Sequence, residues 1–132
     1  MKVYVDIDGT LLSGAMNNKY EVFRSIVGTH IALWLYDRVW RKSDLAINYD
    51  LLAVLKQHIE QGDELVMWTN RGPHNRRMTR NNLGNDVWHM FSEYVFAMGS
   101  KTTTCKPVLD SIIYDDDMRN MMPGIVFVHV QQ

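Results

Sequence analysis

The sequence lacks the features of secreted and membrane-spanning proteins. Its 132 residues include a single cysteine, Cys105, which excludes an internal disulfide framework and favours a reducing, cytoplasmic environment. The longest mostly apolar stretch, residues 31–36, is far shorter than the roughly 20 residues that a membrane-spanning helix needs. Carboxylates interrupt the N-terminal apolar run at position 6, too early for a signal peptide. We therefore expect a soluble, cytoplasmic protein with no membrane partner.

Excess charge of one sign and several familiar site patterns are also missing. The formal net charge is -1, so any electrostatic preference must come from local patches. Residues 99–102 lack the Gly-Lys adjacency of a phosphate-binding P-loop, and Cys105 has no arginine six positions later to form a cysteine-phosphatase loop. The histidines show no paired zinc spacing, and we expect His58 and His129 to be structural.

What the chain does have is an alternation of short apolar runs and helix-like segments. A content of 46% hydrophobic residues fits one core but not two domains. Strands are predicted at residues 2–7, 64–69, 94–98, 111–114 and 125–130. Helices are predicted within residues 20–42, 49–61, 74–83 and 86–93. The clearest helix has Asn48 as N-cap and Gly62 as stop.

This alternation predicts the α/β class. The expected architecture is a three-layer, Rossmann-like, mostly parallel sheet with helices on both faces. Residues 12–47 form the one candidate sub-domain, a small, helical, cap-like insert between the first strand and the helix at 49–61. Its aromatic residues either cover the site as a cap or pack the insert's own core or a dimer interface.

Carboxylates gather where predicted strands end, and ligands of parallel sheets bind beyond such ends. Asp6 and Asp8 are two positions apart, so in an extended segment they point to the same side. Another strand is followed by Asp115, Asp116 and Asp117. Oxygen ligands from two strand ends suit Mg²⁺. The pairing predicts an acidic metal site, with a solvated acidic loop as the alternative.

Four segments resemble, in order, the motifs of the haloacid dehalogenase (HAD) superfamily. They are Asp-Ile-Asp-Gly-Thr at 6–10, Trp-Thr-Asn-Arg at 68–71, Lys-Pro at 106–107 and Tyr-Asp-Asp-Asp at 114–117. The resemblance implies one HAD-like domain over residues 1–132. It also implies a Mg²⁺-dependent phosphomonoesterase that works through an aspartyl-phosphate intermediate.

The same resemblance implies the roles of the carboxylates. Asp6 is expected to be the nucleophile, and Asp8 the general acid that later becomes the base for water. The expected metal ligands are Asp6, Asp8, Asp115 and Asp116. Because the family motif has two carboxylates where this chain has three, a register with Asp116 and Asp117 stays open.

Further site residues follow from the second and third motifs. The resemblance implies that Thr69 and Lys106 are catalytic and contact the phosphoryl group, with Asn70 and Arg71 beside them in substrate binding. Lys101 competes with Lys106 for this role. We favour Lys106 because a Lys-Pro pair nine residues before the acidic cluster resembles compact members of the family.

A cluster of basic residues follows Thr69, and its segments 69–71 and 79–83 resemble the corresponding region of HAD-type acid phosphatases. A solvated helix face is favoured for Arg76, Arg77 and Arg80, whereas Arg71 is nearer the expected phosphate. The first substrate hypothesis is a nucleotide or the phosphorylated end of a nucleic acid, with a sugar phosphate nearly equal. The alternative function is a non-catalytic HAD-like module that binds nucleic acid or a protein through residues 71–80.

Overall fold

The computed structural model of the chain describes residues 1–13, 25–28, 31 and 45–131. Strands and helices alternate along these residues, joined in places by 3₁₀ turns at Pro73–Asn75 and Met118–Asn120. In chain order the elements are β1 (Lys2–Val5), β2 (Leu12–Ser13), β3 (Ala46–Ile47), α1 (Tyr49–Glu60), β4 (Glu64–Thr69), α2 (Arg76–Leu83), α3 (Asn85–Trp88), β5 (Phe91–Phe96), α4 (Lys101–Thr104), β6 (Ile112–Asp115) and β7 (Val126–His129).

A five-stranded sheet with the order β5-β4-β1-β6-β7 forms the centre of the fold. All its neighbouring strands are parallel, and Val5 of β1 pairs with Met67 on one side and Tyr114 on the other. The predicted α/β class with a parallel, Rossmann-like sheet is confirmed. Because β1 lies between β4 and β6, the carboxyl ends of these three strands meet at one edge.

Alternating side chains of the strands build a core on each face of the sheet. Val3 and Val5 join a cluster to which α1 contributes Leu51, Leu52 and Leu55, and to which α2 and α3 contribute Leu83, Val87 and Trp88. On the opposite face Tyr4, Val66, Trp68 and Ile113 form a smaller cluster, against which Cys105, Met122 and Ile125 pack. The period of two along each strand is what a sheet covered on both faces requires.

Helix α1 has the ends that the sequence predicts. The Asn48 side chain accepts a hydrogen bond of 3.1 Å from the Leu51 N–H, as an N-cap does. Beyond the helix Gly62 adopts a φ of +89°, a left-handed conformation that glycine tolerates. His58, near the end of the helix, bonds through its two ring nitrogens to Asp63 and Tyr114, which confirms its structural role.

The segment around β5 differs from its prediction. A helix over residues 86–93 is wrong beyond Trp88, since α3 ends there and β5 begins at Phe91. The strand predicted at 94–98 likewise starts and ends earlier than expected. Residues 91–96 have no strict alternation in sequence, and their parallel pairing with β4, which includes a register shift, decides the structure.

The described ends of the predicted insert form a two-stranded antiparallel stem. Leu12 pairs with Ile47, and Ser13 with Ala46. The stem begins at Leu12, two residues after Thr10, and ends at Ile47. The next residue is Asn48, whose N–H donates to the Leu11 carbonyl at 2.8 Å. Most of residues 20–42, where helices are predicted, and most of the cap-like insert predicted at residues 12–47 lie outside the described residues. None of the helices in the described ranges is long and apolar enough to cross a membrane.

Candidate active site

Three strand ends bring the predicted site residues to one edge of the sheet. Asp6 directly follows β1, Thr69 is the last residue of β4, and Asp115 is the last residue of β6. The Asp6 N–H still donates to the Tyr114 carbonyl at 3.0 Å, so the ladder continues to the nucleophile candidate. The rigid sheet therefore fixes the backbone of these residues.

A buried lysine joins two of the carboxylates. Lys101 Nζ lies 2.8 Å from Oδ1 of Asp6 and 2.7 Å from Oδ2 of Asp115. Its side chain is 2% exposed and lies against the Trp68 ring, with Nζ 4.5 Å from the ring centroid. Lys106, in contrast, is exposed. Of the two candidate lysines, it is Lys101 that contacts Asp6.

Pairing between two loops explains how Lys101 reaches the carboxylates. The N–H groups of Ala97 and Gly99 donate to the carbonyls of Thr69 and Asn70 at 3.0 and 2.8 Å. The Asn70 side chain accepts from the Lys101 N–H at 2.9 Å, at the start of α4. Asn70, which the sequence places in substrate binding, thus has its side-chain oxygen engaged in holding the lysine loop.

Three carboxylates form a group that could hold a metal ion. One oxygen from each of Asp6, Asp115 and Asp116 lies within 4.8 Å of the others. Asp117 turns away, since its carboxylate accepts three side-chain hydrogen bonds from Arg119. Of the two registers, the structure thus brings Asp115 and Asp116 to Asp6.

Two polar side chains that the sequence analysis did not single out complete this group. The buried Thr10 hydroxyl lies 2.8 Å from Oδ2 of Asp6 and 3.2 Å from Oδ1 of Asp116, and it accepts from the Asp116 N–H at 2.9 Å. Asn120 donates to Oδ2 of Asp115 at 2.9 Å. Thr10 stands in the first HAD-like motif, a signal that was available, whereas nothing in the sequence points to Asn120.

Close packing and burial shape the electrostatics of the group. Burial raises the pKa of Asp6 well above its usual value, and Asp115 and Asp116 add to this while Lys101 opposes it. Burial also raises the pKa of Asp116. For Lys101 burial works against the charge, but Asp6 and Asp115 outweigh it and raise the pKa. A cation in addition to Lys101 would favour the ionised forms of Asp6 and Asp116.

Asp8 lies in a different set of contacts from the three grouped carboxylates. Its two oxygens accept from Arg71, with Nη2 to Oδ1 at 2.7 Å and Nε to Oδ2 at 2.9 Å. Arg71 is buried, and its Nη1 donates to Thr79 at 2.8 Å and to Asn82 at 3.2 Å. Arg71, expected beside the substrate phosphate, is thus paired with Asp8.

The remaining basic residues of the segment face solvent. Arg76, Arg77 and Arg80 are exposed on α2. Arg76 lies over the rings of Trp88 and Tyr94, with Cζ 5.1 and 4.8 Å from their centroids. His129, expected to be structural, is exposed, and its Nε2 lies 2.9 Å from the Asp116 carbonyl oxygen.

Comparisons with known proteins locate a similarity over most of the chain. A family model described as HAD superfamily, subfamily IIIB (acid phosphatase) matches residues 1–107. Searches of curated proteins and of solved structures gave no match. The matched residues include Asp6, Asp8, Thr69, Arg71 and Lys101, and they end before the acidic loop after β6.

Proposed function

Because the chain belongs to subfamily IIIB of the HAD superfamily, the acid phosphatases, we propose that it hydrolyses phosphomonoesters with Mg²⁺ through a phosphorylated Asp6. Membership of this family makes it a phosphatase and sets aside the non-catalytic module. The observation that carries the finer proposal is the buried contact of Lys101 with both Asp6 and Asp115 at the carboxyl edge of the sheet. A nucleophile, a cation and an acidic partner meet there.

The donor set fits a divalent metal ion. Asp6, Asp115 and Asp116 offer three carboxylate oxygens within 4.8 Å of one another, and Mg²⁺ prefers carboxylates together with water and phosphate oxygens. When bound, Mg²⁺ supplies positive charge that stabilises the charge on the transferring phosphoryl group. The Asp8 side chain is not needed for this set. We propose that Asp8 contributes to the metal site through its backbone carbonyl.

In the first step an Asp6 oxygen bonds to phosphorus while the bond from phosphorus to the leaving oxygen breaks. A proton from Asp8 goes to that leaving oxygen. Lys101 holds Asp6 in place and offsets the charge of the phosphoryl group. The Thr69 hydroxyl accepts a hydrogen bond of 3.1 Å from the Arg71 N–H, so its own proton is available to a phosphoryl oxygen.

In the second step water attacks phosphorus and the bond to Asp6 breaks. Asp8, now ionised, takes the proton from this water, and inorganic phosphate leaves. The bidentate contact with Arg71 supports this role because it holds the Asp8 side chain in one orientation. Asp6 returns to its place beside Lys101, and the cycle is complete.

We further propose that the substrate is a nucleotide or the phosphorylated end of a nucleic acid. Exposed Arg77 and Arg80 lie on α2, the helix whose Thr79 and Asn82 reach the Arg71 guanidinium. Arginine forks match phosphate oxygens, so these side chains suit a substrate with further phosphate groups. A panel that compares nucleotides, 5′- and 3′-phosphorylated oligonucleotides and sugar phosphates tests this choice, and a preference for sugar phosphates would overturn it.

The central test is turnover of p-nitrophenyl phosphate. We expect Mg²⁺-dependent hydrolysis that a chelator removes and that added Mg²⁺ restores. Asp6→Asn should lower kcat by at least about a thousandfold, since no other group can form the aspartyl-phosphate. Asp117→Asn serves as the matched control, because Asp117 pairs with Arg119 outside the carboxylate group. Turnover that survives Asp6→Asn would sink the proposed mechanism.

A further inference from the structure

Helix α2 carries two polar side chains that face inward, although its arginines are exposed. Thr79 is fully buried and Asn82 is 7% exposed, whereas the adjacent Arg80 and Asn81 are exposed. Burying polar groups is costly unless they are hydrogen-bonded. Both side chains use their oxygen for the same donor, Nη1 of Arg71, at 2.8 and 3.2 Å.

The guanidinium of Arg71 is oriented from two sides. Its Nη1 is bound by Thr79 and Asn82, while Nε and Nη2 face the two oxygens of Asp8. Because the guanidinium is planar, hydrogen bonds to Nη1 also restrict the orientation of Nε and Nη2. The position of the Asp8 carboxylate is therefore tied to α2.

The start of α2 is itself braced, so the contact does not depend on a mobile segment. The Thr79 hydroxyl donates to the Asn75 carbonyl at 2.8 Å, which directs an oxygen lone pair at Arg71. Asn75 is buried, and its side chain accepts from the Gly72 N–H at 2.9 Å. The loop after β4 and the first turns of α2 thus form one hydrogen-bonded unit.

We infer that Thr79 and Asn82 are positioning residues for proton transfer by Asp8, acting through Arg71. The inference rests on the proposed role of Asp8 as general acid. Arg71 accordingly serves the proton-transfer group and not the phosphoryl group. Thr79 and Asn82 do not touch substrate, and their effect is to keep the Asp8 oxygens aimed at the leaving oxygen.

The leaving group of the substrate distinguishes a role in positioning Asp8 from a role in binding the phosphoryl group. An alkoxide leaves only with a proton from Asp8, whereas p-nitrophenolate leaves without one. The ratio kcat/KM reports the steps up to formation of the aspartyl-phosphate. Loss of positioning should therefore lower kcat/KM for glycerol phosphate and leave that for p-nitrophenyl phosphate nearly unchanged. Loss of a phosphate-binding group would lower both values equally.

The experiment measures kcat/KM for both esters in the wild type, Asp8→Ala, Asn82→Ala and Thr79→Val. We expect Asp8→Ala to lower kcat/KM for glycerol phosphate, the alkyl ester, by about a hundredfold or more. Asn82→Ala and Thr79→Val should lower it about tenfold, with less than about a twofold change for the aryl ester. Thr79→Ser, which keeps the hydroxyl, should restore most of the alkyl activity. Asn81→Ala is the matched control, an exposed asparagine on the same helix.

Equal losses on the two esters in Asn82→Ala and Thr79→Val would overturn the inference. That result differs from failure of the proposed mechanism, which would appear as activity in Asp6→Asn. A second readout does not depend on turnover: the Nε–H resonance of Arg71 in nitrogen-edited NMR spectra. We expect slow solvent exchange of this proton in the wild type and at least about tenfold faster exchange in Asn82→Ala. Unchanged exchange would also overturn the inference.

Discussion

At the scale of single residues, Lys101 and Lys106 offer a direct comparison. We predict that Lys101→Met lowers kcat about a hundredfold or more, because Asp6 loses its cation and the phosphoryl group loses a positive charge. Without metal the variant should also lose roughly 3 kcal/mol of stability, since two buried carboxylates lose their partner. Steady-state kinetics and urea denaturation measure both effects.

Lys106→Met is the control for this replacement. The Lys106 side chain is exposed, so we expect kcat within about twofold of the wild type and a stability change within about 0.5 kcal/mol. Equal losses in the two variants, or a larger loss in Lys106→Met, would contradict the assignment of Lys101.

Gly9 lies beside the Asp116 carboxylate in a left-handed conformation, with a φ of +79°. A Cβ at this position would collide with the Asp116 carboxylate. We predict that Gly9→Ala weakens Mg²⁺ binding about tenfold, measured by calorimetric titration, because Asp116 must move away. The positive φ adds a cost of about 1 kcal/mol to folding.

Gly62→Ala separates the collision from the backbone strain. Gly62 has a φ of +89°, and a Cβ there would meet nothing within 4 Å. Stability should fall by a similar amount, while the affinity for Mg²⁺ stays unchanged. If the two alanine variants bind Mg²⁺ equally well, the packing argument for Gly9 is wrong.

Single residues also show where prediction from the sequence stops. The sequence predicts that three residues meet, because each stands at the end of a strand and parallel strands share one carboxyl edge. These residues are Asp6, Thr69 and Asp115. Lys101 could not be chosen in the same way. Its position depends on pairing between the loop after β5 and Asn70, two loop segments without sequence periodicity. The same limit applies to Asn120, which lies in a 3₁₀ turn.

At the scale of elements, α1 depends on its cap. We predict that Asn48→Ala lowers the free energy of unfolding by about 1 kcal/mol. The side chain accepts from the Leu51 N–H at 3.1 Å and donates to the Thr10 carbonyl at 3.2 Å, and alanine removes both bonds. Asn48→Asp keeps the acceptor and loses the donor, so urea denaturation should give an intermediate value. Full stability of Asn48→Ala would refute the importance of the cap.

Elements were predictable in proportion to the strength of their local signals. Helix α1 has a periodic apolar face, a cap and a glycine stop, and its bounds were found almost to the residue. Helix α3 and strand β5 have neither a cap nor strict alternation, so the contact of β5 with β4 decided their boundary. Local sequence carries little information about a boundary that a neighbouring strand determines.

At the scale of the whole molecule, Asp63 links the amino ends of β1 and β4. It lies 3.4 Å from the N-terminal amine and 2.8 Å from His58, whose other nitrogen contacts Tyr114. The hydrogen bond from His58 lowers the pKa of Asp63 below its usual value, and the N-terminal amine adds to this against the opposing effect of burial. Folding therefore favours the ionised carboxylate.

The pH dependence of stability follows from this direction. The contribution of Asp63 is complete above its unfolded pKa of about 3.9 and is lost as the pH falls through the lower folded value. We predict that Asp63→Asn is less stable than the wild type at pH 6 and that the difference shrinks below about pH 4. Thermal unfolding from pH 6 to pH 2.5 measures it, with exposed Glu60→Gln as control. A difference that does not shrink in acid would contradict the argument.

The charges of Asp6, Asp115, Asp116 and Lys101 also predict an order of binding. Three carboxylates and one ammonium leave two net negative charges when all are ionised, and a phosphomonoester brings nearly two more. At about 4 Å and an effective dielectric constant of about 20, each pair of like charges costs about 4 kcal/mol. We predict that inorganic phosphate binds at least about a hundredfold more tightly after Mg²⁺ than before it, measured by calorimetric titration. Equal affinity in both cases would contradict this order. This order predicts that the cation binds before the ester and that phosphate inhibits effectively only where Mg²⁺ is plentiful.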